Sequence, residues 1–168
     1  LVSRPRSNTA PAPSSPSAIH ARVVEPVSAE SQWSCFRGPG AGVAYWSNAP
    51  VAWDGSSGKG VVWKTDLRMP GVSSPVVWGN RVFLTESNDT ERALLAFDAD
   101  DGRLLWRRLV PDGARGQPLP SFSDTGFALP TPACDRNGVY ALFGTGDLAA
   151  FSHDGTPLWR TFLQRPVT

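Results

Sequence analysis

The sequence predicts an all-β fold assembled from repeated four-stranded antiparallel units, and three observations carry that prediction. The first is composition: 168 residues include 16 Gly, 16 Pro and 7 Trp, a mixture of turn formers and large aromatics. Such a mixture suits many short strands better than long helices. The second and third are two hairpin-like patterns, each of which occurs twice along the chain. Hydrophobic residues make up 40% of the sequence, enough to bury a core.

Taken in chain order, residues 1–31 are rich in Pro, Ser and Ala and hold no Phe or Tyr and no Trp, so they read as a disordered leader. The leader has no apolar h-region and begins at Leu1. The expectation is that a targeting segment has been lost or that the sequence starts inside a longer protein. Folded structure is expected from 32 to 168, opening with QWSCFRGPGAGVAYW. Gly38, Gly40 and Gly42 in this opening do not have Walker or Rossmann spacing, and no apolar strand precedes them. They read as a packed irregular loop.

The first repeated pattern is SSPVVWGNRVFL at 73–84, which aligns with PTPACDRNGVYAL at 130–142. Ser74-Pro75 falls over Thr131-Pro132, and Val82-Phe83 over Val139-Tyr140. Each copy reads as a hairpin with Asn80 or Asn137 beside a Gly in the turn, where positive φ is tolerated. The second pattern is ALLAFDADDGRLLWRRL at 93–109, matched by LAAFSHDGTPLWRTFL at 148–163. Ala96-Phe97 falls over Ala150-Phe151, Gly102 over Gly155, and Trp106 over Trp159. Two successive hairpins make four antiparallel strands, the content of one β-propeller blade. The chain is therefore expected to hold two blades, at about 73–110 and 130–163.

A third partial copy, GVVWKTDL at 60–67, puts Trp63 in register with Trp106 and Trp159. It lacks the strands that should precede it. The segment 61–67 is expected to be an outer strand of a different blade, of the kind that closes a propeller ring. Two blades and one strand make only a partial β-propeller, so the remaining blades are expected after Thr168.

At this point the residues resemble a known family. AFDADDGRLLW at 96–106 resembles the tryptophan-docking motif AxDxxTGKxxW of PQQ-type (quinoprotein-like, BamB-like) propeller repeats. Ala96, Asp98, Gly102 and Trp106 match, while Asp101 and Arg103 replace Thr and Lys. The second copy keeps Ala150, Gly155 and Trp159, is one residue shorter and has Ser152 in place of Asp. The resemblance implies that each docking Trp packs on the Ala and Gly backbone of an adjacent blade. A ring beside residues with little or no side chain makes the same sense physically. Relatives of this kind include PQQ- and calcium-dependent alcohol and sugar dehydrogenases, and outer-membrane assembly lipoproteins that carry neither group.

The chemistry-bearing residues are sparse. Asp98, Asp100 and Asp101 resemble the start of a calcium loop, but the twelfth position is Leu109 rather than Glu. They read as a solvated turn. His20 and His153 show no visible catalytic partner, and GTGD at 144–147 reads as a turn. Cys35 and Cys134 have no zinc spacing and read as two buried, unpaired thiols that behave as small hydrophobes, with a disulfide in an oxidising compartment as the alternative. The adjacent cysteines expected over the quinone in the dehydrogenases do not occur. A formal net charge of +1 argues for neither nucleic acid nor an anionic membrane as partner, and no apolar run is long enough to span a bilayer.

No catalytic, metal or cofactor residue is nominated, and no cofactor is expected in this stretch. The expected function is a non-catalytic, exported propeller scaffold that binds protein, placed in the periplasm or another extracytoplasmic space by family analogy. The alternative is the N-terminal part of a PQQ- and calcium-dependent alcohol or sugar dehydrogenase.

Overall fold

The computed structural model describes residues 32–40, 42–43, 50–111 and 124–163. The leader assigned to 1–31, with His20, lies outside the described residues. Two four-stranded antiparallel meanders make up the fold. The first holds β1 (Val76–Trp78), β2 (Arg81–Ser87), β3 (Arg92–Asp98) and β4 (Leu104–Leu109) in that order. The second holds β5 (Ala133–Asp135), β6 (Gly138–Leu142), β7 (Asp147–Phe151) and β8 (Pro157–Phe162), again in chain order. No helix occurs among the described residues.

The turns explain why the strands reverse where they do. Between β1 and β2 the two central residues are Gly79 and Asn80, and the positive φ of 58° falls on Gly79, not on the Asn. Positive φ at the first central position is where a hairpin turn favours Gly. The β5–β6 turn, Arg136-Asn137, needs no positive φ at all. Asp135 stabilises it instead, its Oδ1 accepting the backbone N–H groups of Asn137 at 2.8 Å and Gly138 at 3.1 Å. In the outer hairpins the left-handed residue is Gly102 (φ 72°) or Gly155 (φ 86°).

Period-two alternation sorts the first sheet into two apolar faces. Val76, Phe83, Leu94, Ala96 and Trp106 point toward the second sheet and share a core with its Cys134, Val139, Ala141, Ala149 and Phe151. Ala93, Leu95 and Phe97 point the other way, onto Met69. With both faces covered, β3 is an almost uninterrupted apolar run, whereas β8 is exposed along most of its length.

Polar links lock the sheets together. Arg92 at the start of β3 is 2% exposed and lies 3.3 Å from Asp147 at the start of β7. Ser74 donates its N–H to Thr131 Oγ1 at 3.1 Å, and Phe127 donates its N–H to Ser87 Oγ. At the inner edge, Trp33 bridges β1 at Val77, and Ser34 O accepts the N–H of Cys134 in β5 at 2.8 Å.

The segment 61–67 differs from expectation. Its extended, apolar-rich sequence is strand-like, but it joins no ladder and pairs with neither sheet. A strand needs a partner, and none lies beside it among the described residues. It is held by side chains instead. Just beyond it, Glu86 is fully buried and accepts the N–H groups of Arg68 and Met69 on Oε2, while Arg107 Nε reaches Oε1 at 2.7 Å.

Candidate functional site

The motif tryptophans build two contacts of the same design. The Trp63 indole lies on Gly102, so close that a Cβ there would sit 2.5 Å from the ring. Its Nε1 donates to Ala99 O at 2.8 Å. Trp106 repeats the arrangement one unit later: a Cβ on Gly155 would sit 2.8 Å from the ring, and Nε1 donates to His153 O at 3.0 Å. Only Gly combines the required positive φ with the absence of a side chain under the ring.

A further position completes the design, and the sequence reading missed it. Two residues after each Trp, a side chain caps the carbonyl of the same Gly. Thr65 Oγ1 donates to Gly102 O at 3.0 Å, and Arg108 Nε donates to Gly155 O at 2.7 Å. The signal was present as a fixed i+2 spacing, but Thr and Arg share only donor capacity. The equivalent residue after Trp159 is Thr161.

The Ala positions do not lie across the interface. Ala96 pairs in register with Trp106 of its own sheet, and Ala150 with Trp159 of its own. Small residues there leave room for the ring on the same face. Each Trp also follows a register shift, between Ala96 and Phe97 in the first sheet and between Ala150 and Phe151 in the second. The shift leaves Leu105 or Leu158 as the extra residue of a bulge.

Asp98 organises its own turn. Its Oδ1 accepts from Asn80 Nδ2 at 3.2 Å and from the Asp100 N–H at 2.9 Å, and Arg103 lies 3.8 Å from Oδ2. His153, for which the sequence shows no catalytic partner, is an interface residue. Its ring stacks on Trp78 with centroids 5.7 Å apart, and Nε2 lies 2.8 Å from Asp135 O. Asp135 is held below the ordinary aspartate range: burial pushes it up, but hydrogen bonds from Asn137, Tyr140 and Gly138 outweigh that.

Trp159 stands apart. It is 48% exposed where Trp106 is 8%, and no turn glycine covers it among the described residues. Tyr140 lies 6.0 Å away on the same face.

Among the described residues no group of three His, Cys, Asp or Glu side chains converges to hold a metal ion. No pair of adjacent cysteines is present to cover a quinone ring. No helix among the described residues is long and apolar enough to cross a membrane.

Residues 40–168 match a family model described as outer membrane protein assembly factor BamB. No curated protein matches the chain. Among solved structures, BamB from Moraxella catarrhalis is similar at 20% identity and a TM-score of 0.44, over 59% of this chain and 27% of that one. The chain thus spans about a quarter of that structure's length.

Proposed function

The chain belongs to the family described as outer membrane protein assembly factor BamB, and from that premise we propose that it is part of a non-catalytic, exported β-propeller scaffold that binds protein. One observation carries the reading. The motif residues are taken up by packing: Trp63 and Trp106 are laid on turn glycines and hydrogen-bonded to backbone carbonyls. The tryptophan-docking motif is thus read as the joint between successive blades. The family's description supports proteins of outer-membrane assembly as the proposed partner class and an extracytoplasmic space as the proposed location.

Trp159 supports the incomplete propeller. It occupies the place in the second sheet that Trp106 occupies in the first, and its half-exposed ring suits the turn glycine of a further blade. Remaining blades of this kind are the first partner proposed for that face.

The test uses the chain together with its natural continuation. Crosslinking in intact cells, followed by mass spectrometry, is expected to recover envelope proteins joined to the loops and blade edges. Titration with PQQ and calcium is expected to give no saturable binding, and an artificial electron acceptor no turnover with alcohols or sugars. Saturable binding with cofactor-dependent turnover would replace the scaffold by the dehydrogenase alternative.

A further inference from the structure

The two cysteines, far apart in sequence, are brought to one place by the segment along the inner edge. Ser34 O accepts the N–H of Cys134 at 2.8 Å, and Cys134 Sγ lies 3.6 Å from the same oxygen. In a trans peptide that oxygen is about 2.8 Å from the next Cα, which belongs to Cys35. Cys134 Sγ therefore lies within roughly 6.5 Å of the Cys35 Cα, and the two Cα atoms lie within roughly 7 Å of each other, a bound that takes in the span of a disulfide, about 4.4–6.8 Å between Cα atoms.

Neither sulfur is committed to a strong partner. Cys35 Sγ is 3.5 Å from Gly38 O, and the second oxygen near Cys134 Sγ, that of Val77, is 3.9 Å away. Both are weak S–H contacts that a side-chain rotation gives up at little cost. Both thiols are free in this structure, with Cys134 buried and Cys35 partly exposed.

We propose that Cys35 and Cys134 are a disulfide-forming pair, a covalent clasp between the 32–35 segment and β5. Because that segment also bridges β1, the clasp would tie the inner edges of both sheets. The oxidant is a low-molecular-weight disulfide. The Cys35 thiolate, the more accessible one, attacks it, forming a mixed disulfide and expelling one thiolate. Cys134 then loses its proton and attacks the Cys35 sulfur, expelling the second thiolate. Two protein thiols and one small disulfide become one protein disulfide and two small thiols. Burial first, then Asp135 and Cys35, push the Cys134 thiol up to about 12. It therefore waits in the protonated form and serves as the resolving group.

Any chain with two cysteines can close the same loop when unfolded, so the test must read native geometry. The full chain is equilibrated with reduced and oxidised glutathione, in native buffer and in guanidinium chloride. After acid quenching, free thiols are alkylated and counted by mass spectrometry. The pair's effective concentration is expected to be at least about tenfold higher in the native state than in denaturant. A native value equal to or below the denatured one overturns the proposal, as does a product made only of mixed disulfides or dimers. Cys35→Ser must abolish the intramolecular product. The measurement is independent of the scaffold reading, since neither partner nor cofactor enters it.

Discussion

A tryptophan ring laid flat on a glycine gains a large contact area from a neighbour with no side chain to lose, and this sets what single residues are worth here. Trp106 is 8% exposed and hydrogen-bonded, so Trp106→Ala is expected to lower the unfolding free energy by about 3–5 kcal/mol, the range for large aromatic truncations in cores. Trp159→Ala, at a site 48% exposed, should cost less than half as much. Urea unfolding of both variants checks the pair, and equal costs would show that the two rings are equivalently buried. Gly155→Ala attacks the Trp106 contact from the other side. A left-handed φ of 86° costs a side chain about 1–2 kcal/mol before the ring is displaced. A pH dependence follows from Asp135, whose carboxyl is held low by the hydrogen bonds of its turn. A lowered carboxylate contributes stability that is present above the ordinary aspartate range and is lost as pH falls through its lowered value. The urea midpoint of the wild type is therefore expected to fall more steeply in acid than that of Asp135→Asn. Identical acid limbs would remove Asp135 from the account.

At the scale of elements, register matters more than any single contact. Trp106 faces the second sheet because one extra residue, Leu105, is absorbed between the pairs Ala96–Trp106 and Phe97–Leu104. Deleting Leu105, the surplus residue, should close the bulge and keep Trp106 opposite Ala96, on the face toward the second sheet. The expected outcome is a near-ultraviolet circular dichroism spectrum close to that of the wild type and a cooperative unfolding transition. Loss of the Trp106 signal would mean that Leu105 is not the residue the register absorbs. This bulge shows where legibility in the sequence ended. The eight strands were legible because their turn residues and their repeats agree, and Trp106 opposite Gly155 could be anticipated from the docking motif. The bulge could not, since alternation in LLWRRL does not say which Leu is surplus. The buried pair Arg92–Asp147 also escaped notice, because each residue reads as an ordinary solvated charge until the fold sets them 3.3 Å apart. Residues 61–67 mark a further limit: their sequence is strand-like and they stay out of the first sheet, as expected, but a strand is a property of two segments and no partner lies beside them among the described residues.

For the whole molecule, the two sheets form a stack with one end covered by residues 61–70 and the other, among the described residues, left open at Trp159. Exposed tryptophan is readily quenched, so Trp159 should be accessible to acrylamide in this chain and become protected when a further repeat unit is supplied. Low quenching of Trp159 in this chain would show that the face is not open. The spacing of the joints also sets a timetable. The Trp106 indole closes onto a carbonyl 47 residues further along, and Trp63 onto one 36 residues further along. During synthesis at about 5–20 residues per second, Trp106 must therefore wait roughly 2–10 s before its acceptor exists outside the ribosome. Each newly made unit spends that interval with an aromatic face bare, dependent on the pace of translation or on a chaperone's cover until its successor emerges.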